Sequence, residues 1–247
     1  PSEFALTPTF TFSSKPKSHQ LKILFQATKK ALHNLLVTIV NLRFYSETRV
    51  IDIVETYPSV MAQLRGMVQA AAEVEQRRQY QYDGAVEVWS QMKLNGGFSQ
   101  LILPPEIRHI ESIKQVTASP NSSKIQSRPR SSQVFSGLIV DARAMRAVPV
   151  LAPRILDENL EEVFGPTYAS REFAVQHGVA RYTTDIWKAK FDTRVSDNPL
   201  IAKALKVLWP GRCDFIISNA DAAKLKSASE HLRFLKECRV IIDLDPM

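Results

Sequence analysis

The chain has 247 residues, 45% hydrophobic and 23% charged, which is enough to bury a packed core and excludes a disordered chain. Its net charge of +7 lies mostly in the first half: residues 1–135 carry 16 Lys and Arg against 10 Asp and Glu, and residues 136–247 carry 16 against 15. The excess suits an anionic surface or simply a solvated basic face, and no dense patch marks out specific nucleic-acid binding.

Residues 1–20 are rich in Pro, Ser, Thr and Lys and read as an arm, with loosely alternating Phe4, Leu6, Phe10 and Phe12 allowing a short edge strand. Leu21, Leu24, Thr28, Ala31 or Leu32, Leu35, Ile39 and Leu42 then recur every three to four residues and predict an amphipathic helix over about 20–40. Its most apolar run, 35–42, is too short to span a bilayer. The β-branched and aromatic stretch 43–54 predicts a strand. Pro58 ends it or opens a second helix along Val60, Leu64, Met67, Val68 and Ala71. From Ala72 the period shifts toward two, and two strands are predicted on either side of a tight turn at Asp83-Gly84. Val86, Val88, Met92 and Leu94 would face the core. Tyr80, Tyr82 and Trp89 flank this hairpin and are candidates for a partner contact.

"GGFSQLILP" closes this first module, and the Ser- and Pro-rich stretch 105–134 reads as a linker. In the second module "GLIVDA" predicts a strand, and 149–165 predicts two short extended pieces around a turn at Asp157–Asn159. "SREFAVQHG" predicts a helical turn capped by Ser170 and ended by Gly178. Residues 197–208 predict a helix, with Asp197 or Asn198 as cap and Pro199 in its first turn. "CDFIIS" and "CRVIIDLD" predict strands on either side of one helix capped by Asn219. The expected fold class is therefore α+β in two small domains. Domain 21–104 is expected to pack two helices on a three-stranded, antiparallel-type sheet. Domain 135–247 is expected to hold a mixed sheet with two or three helices.

The chemistry is sparse. Eight glycines include no phosphate-binding fingerprint, which removes one nucleotide-binding role for Asp141. His19, His33, His109, His177 and His231 show no zinc-like spacing, so no metal or cofactor is expected. No Gly-x-Ser-x-Gly elbow is present. The acids of "LDENLEE" read as a solvated turn tip rather than a glycosidase pair. Cys213 and Cys238 each border a predicted strand, and either a disulfide between neighbours in one sheet or two buried thiols is compatible with that placement. An alternative acidic site, hydrolytic or ligand- and metal-binding, would be assembled from Asp141, Asp157, Glu158, Asp214 and Asp221, with Arg143 and Asn219 beside them.

Ser46-Glu47-Thr48 after the first long helix, "GMVQAAAEVE", the Asp83-Gly84 hairpin and "GGFSQLILP" together resemble a family of small bacterial surface lipoproteins known for a twenty-kilodalton antigen. A related module forms the N-terminal domain of the flagellar assembly protein FlgT, and the flagellar disk protein FlgP is similar. The stretches "GLIVDAR", "APRILDE", "EVFG" and the run from Ser218 to Asp245 resemble an uncharacterised C-terminal region attached to that module in exported proteobacterial proteins. Such proteins typically carry "DARG" with more glycine following; here Ala144, Met145 and Arg146 occupy those places. The resemblance implies export to the periplasm or outer surface of a Gram-negative bacterium. It also implies a non-catalytic, structural or assembly role, flagellum-associated or self-assembling, with protein partners or copies of the chain itself. No catalytic residues carry over. Neither cysteine stands near Pro1, so the chain as a mature protein is not expected to carry a lipid anchor.

Overall fold

The computed structural model describes residues 17–74, 76–82, 85–103 and 134–246; the side chains of 17–20, 72–74, 76 and 77 are left aside. Residues 1–16 of the predicted arm, the Asp83-Gly84 turn and nearly all of the predicted linker lie outside these residues, and the last four residues of the arm are helical. The chain divides into two compact units, one holding residues 1–103 and 175–178, the other 104–174 and 179–247. The α+β class in a two-domain arrangement holds.

In the first unit, α1 (Lys17–Asn41) buries Ile23, Ala27, Ala31, Leu35 and Ile39 along one stripe. These residues recur every four, the spacing that keeps one helix face on a core. Ile23, Ala27 and Ala31 pack on Val86 and Val88 of the hairpin. The stretch 43–54 is not one strand. It forms β1 (Arg43–Tyr45), a reversal at Ser46 with φ +46°, β2 (Thr48–Arg49) and then α2 (Val50–Thr56). The Asp52 carboxylate accepts the Arg49 N–H at 2.7 Å and nucleates that helix, while Val50 and Val54 fall four apart on its buried side. Burial of this pair overrides the strand propensity of the β-branched residues. Pro58 opens α3 (Pro58–Val74). The hairpin is β3 (Gln76–Tyr80) with β4 (Val86–Ser90), followed by α4 (Gly97–Ile102). Among the described residues, β1–β2 and β3–β4 are separate two-stranded ladders, which corrects the expected three-stranded sheet.

The second unit has two four-stranded sheets rather than one. Its strands are β5 (Gly137–Asp141), β6 (Arg154–Leu156), β7 (Glu162–Phe164), β8 (Arg181–Thr183), β9 (Pro199–Lys203), β10 (Lys206–Val207), β11 (Asp214–Ile216) and β12 (Val240–Asp243). The order β8-β12-β5-β9 is parallel throughout, and β10-β11-β6-β7 is mixed. β12 is buried throughout and β5 up to Val140, as expected for central parallel strands covered on both faces. The helices α6 (Ile186–Lys190), α7 (Asn219–Lys226) and α8 (Ser229–Lys236) lie within this unit and α5 (Arg171–His177) only in part, so residues 135–247 hold four described helices instead of two or three.

Two predicted helices are corrected. Residues 197–208 are extended and supply an edge strand to each sheet. The Ala204 N–H donates to Asp141 C=O at 2.9 Å in one sheet, and the Leu205 N–H donates to Ile216 C=O at 2.7 Å in the other. Leu200, Ala202 and Ala204 are buried while Ile201, Lys203 and Leu205 are exposed, a period of two that the equally apolar helical spacing concealed. Pro199 stands at the first residue of an edge strand, where its missing N–H is tolerated. Further on, the single predicted helix is broken at Ser227-Ala228. Its cap is Ser218, whose hydroxyl accepts the Asp221 N–H at 3.1 Å, and not Asn219.

Candidate functional site

Open parallel sheets gather ligands at the carboxyl ends of their strands. Here that edge carries one registered row across all four strands: Thr183, Asp243, Asp141 and Lys203. Strand spacing brings such neighbours to about 5 Å, with side chains on the same face. Arg143 lies over the middle of the row. It grips Asp141 with Nε to Oδ1 at 2.8 Å and Nη2 to Oδ2 at 2.6 Å, and its Nε also stands 3.3 Å from Asp243 Oδ2. The Arg143 contact holds the Asp141 carboxyl below its ordinary value. Asp243 is the opposite case. It is fully buried, and neither carboxylate oxygen accepts a hydrogen bond from the described residues. Burial pushes its pKa up against the pull of Arg143, and the charges of Asp141, Asp185 and Asp245 push the same way.

A raised folded-state pKa means that the folded unit favours the protonated form, so Asp243 lowers stability as pH rises through that value. Asp243→Asn is therefore expected to be more stable than wild type at neutral pH. That advantage should shrink as the pH falls and Asp243 becomes neutral too. Urea melts of both proteins between pH 4 and 7.5 check this.

Asp245 closes the edge. Its Oδ1 accepts the Ala144 N–H at 2.7 Å and its Oδ2 the Arg146 N–H at 3.3 Å. Both of those residues have left-handed backbone, at φ +64° and +50°. They are two of the three positions where related sequences were expected to carry glycine. The turn is kept without glycine, held by the Asp245 carboxylate. Left-handed strain at alanine costs about 1–2 kcal/mol, and glycine returns about 0.5–1 kcal/mol of it to the freer unfolded chain. Ala144→Gly is thus expected to stabilise the second unit by about 0.5–1 kcal/mol, measurable by thermal denaturation.

Residues 137–246 match the family model described as Treponema pallidum Tp0624, second domain. No curated protein matches the chain. The matched region starts on the first residue of β5 and contains the whole carboxyl edge just described.

Within this matched region the predicted acids do not converge. Asp141 belongs to the parallel sheet. Asp214, at the start of β11, is held by a two-pronged pair with Arg154 of β6, directly across the ladder. Asp157 folds the β6–β7 turn, its Oδ1 accepting the N–H groups of Asn159 and Glu161, both at 2.9 Å. Glu158 and Asn219 exchange backbone-to-side-chain bonds of 2.8 and 3.1 Å, tying that turn to the start of α7. Asp221 pairs with Ser218 and Lys224. Among the described residues no group of three or more His, Cys, Asp or Glu side chains is placed to hold a metal ion.

Of the two alternatives for the cysteines, the structure has the buried thiols and not the disulfide. Cys213 and Cys238 are buried and not bonded to each other, and they border strands of different sheets, β11 and β12. Burial pushes the Cys238 thiol up to about 12, which keeps it unreactive. The hairpin aromatics also divide. Tyr80 pairs with Val86 and Trp89 with Arg77, and these pairs are three rungs apart, so Tyr80 and Trp89 lie on opposite faces of the ribbon. Tyr80 and Tyr82 are exposed and Trp89 is half-buried. Sequence reasoning missed Asp243 and Asp245, and also the exposed Trp187, Phe191 and Trp209. The signal for Asp243 was available: "GLIVD" and "VIID" are the same apolar run ending on the same acid.

Proposed function

We propose that this chain is a non-catalytic, exported component of a Gram-negative envelope that acts in assembly by binding copies of itself and other envelope proteins. The observation that carries the reading is a set of large aromatics held out in solvent: Tyr82 and Phe191 are 102% and 84% exposed, and Trp209 is 78% exposed. Tyr and Trp in such positions are the side chains that anchor protein interfaces. The acids of the rival hydrolytic reading, by contrast, are engaged in turns, caps and ion pairs of their own chain. The similarity of residues 21–104 to the surface-lipoprotein and FlgT-type module supports the envelope setting. The match of residues 137–246 to a Treponema pallidum domain is in keeping with a bacterial protein. Among the described residues no helix is long and apolar enough to cross a membrane.

Sedimentation velocity of the purified chain tests the reading. The expected result is a mass above that of the monomer which rises with concentration and falls back in the Tyr80→Ser/Tyr82→Ser double variant. A monomer across the whole range that also retains no envelope component contradicts it.

A further inference from the structure

We infer that copies of this chain meet head to tail, the acidic β6–β7 turn of one copy docking on the aromatic, lysine-bearing face of α6 in the next. The inference rests on the self-association proposed above and names the two surfaces that make the contact. In α6, Ile186 and Ala189 pack inward on Ile139, Val195 and Ile241. That leaves Trp187 and Lys188 on the outer face, with Phe191 one turn beyond Trp187. Trp187 is 67% exposed, and Phe191 is more so. Lys190 borders this face with its Nζ 4.5 Å from the centre of the Trp187 ring, and among the described residues no carboxylate is ion-paired with it. Lys188 is exposed and stands 3.6 Å from Asp185, a loose surface pair. The acids on either side are engaged within their own chain. Asp185 Oδ1 accepts the Trp187 and Lys188 N–H groups, and Asp192 pairs with Arg181.

The complement is the turn between β6 and β7. Asp157, Glu158, Glu161 and Glu162 put four carboxylates into six residues. Among the described residues Lys226 is the cation paired with them, 3.6 Å from Asp157 and 3.5 Å from Glu161, so the turn keeps a negative excess. Leu160 stands at its tip, 57% exposed and with left-handed backbone at φ +65°. A bulky apolar residue is rare in that conformation, and strained backbone of this kind gathers at contact sites. The tip is rigid: the Leu160 N–H donates to Asp157 C=O at 3.0 Å, and the Asp157 N–H to Glu161 C=O at 2.9 Å. The turn is thus an apolar knob with an acidic rim, and α6 an aromatic seat with a basic rim. An apolar centre inside a rim of opposite charges is how specific interfaces are built. Every copy carries both surfaces, so a second copy supplies the partner. A knob that docks on a different patch makes a heterologous contact, which repeats from copy to copy as a ring or a filament.

The test uses the purified full chain, half of it labelled with nitrogen-15, and a benzophenone side chain at Phe191. Adducts joining a labelled to an unlabelled copy are mapped by mass spectrometry. The expected adduct holds the peptide that contains Leu160. Its yield should fall by roughly tenfold when the Phe191 copy also carries Lys188→Glu/Lys190→Glu, because like charges across an interface oppose docking. It should rise again when the partner copy carries Glu161→Lys. Adducts between copies that map elsewhere, or a Leu160 adduct that charge reversal leaves unchanged, overturn the inference while self-association stands. Should Lys188→Glu/Lys190→Glu not fold, Leu160→Asp in the partner copy is expected to remove the same adduct, and its persistence overturns the inference. A chain that stays monomeric in sedimentation velocity overturns self-association as well.

Discussion

Alanine at position 137 is expected to be the most damaging single-methyl change in the second unit, lowering its stability by about 3 kcal/mol. Gly137 opens β5, and a Cβ there would lie 2.7 Å from both Cα and Cβ of Val195 and 2.9 Å from its Cγ1. Val195 has nowhere to go. It is fully buried and packs with Ile139, Ala189 and Ile241. Its N–H donates to Asp192 C=O at 3.1 Å, and its C=O accepts the Ser136 hydroxyl at 2.5 Å. The strand would have to move instead, and β5 is bonded to β12 on one side and β9 on the other. Gly66 provides the opposite sign. It lies inside α3 with nothing within 4 Å of where a Cβ would stand, so Gly66→Ala should add about 1 kcal/mol through helix propensity alone. Urea titration of the two variants against wild type reads both.

His231→Ala is expected to cost about 3 kcal/mol, because it takes the acceptor away from the Phe135 N–H and leaves a hole where the fully buried ring was. The ring of this fully buried histidine ties three segments together. Its Nε2 accepts the Phe135 N–H at 2.9 Å, which fixes the other nitrogen as the donor, and Nδ1 reaches the Lys224 C=O at 2.8 Å. Phe135 and Phe234 pack against it, with ring centroids at 5.3 and 5.7 Å. The histidine thus joins the entry to β5 with the end of α7 from within α8. His231→Gln, which keeps an acceptor and a donor, should recover part of the loss in the same denaturation measurement.

These two residues show what the sequence could reveal. The sequence marked His231 only as lacking metal-like spacing; its burial and its partners, 96 and seven positions away, were not legible there. Strands β5, β11 and β12 were legible because apolar runs of four to six residues ending in polar groups have few other readings. The hairpin was legible from its period of two. Residues 197–208 were not, since "LIAKALKVL" satisfies both a helical stripe and an alternating strand; bonding to two sheets decided the matter. The division of the strands between two sheets was equally hidden, and with it the separation of Cys213 from Cys238. Asp141 paired with Arg143, as its position two residues away suggested. Its more telling neighbour, Asp243, is 102 residues distant and became adjacent only through parallel pairing.

The pattern across the second unit is of charged groups used locally and aromatic groups left outward. Arg154 answers Asp214, and Arg181 answers Asp192. Arg194 is largely buried, and its guanidinium donates to the Cys238 and Val179 carbonyls, joining loops rather than facing a ligand. Meanwhile Trp187 and Trp209 stand on the surface with Lys190 and Arg212 over their rings at 4.5 and 5.5 Å. Such amphipathic surfaces suit recognition of another protein better than catalysis on a small substrate.

Photo-crosslinking in the source cell is the most direct test of that claim. A benzophenone side chain is placed at Tyr82, Phe191 or Trp209, with the exposed Lys206 as control. Adducts containing a second copy of the chain or an envelope protein, formed at the aromatic positions and not at Lys206, are predicted. A folded, expressed protein that forms no adduct at any of the three aromatic positions would contradict the account.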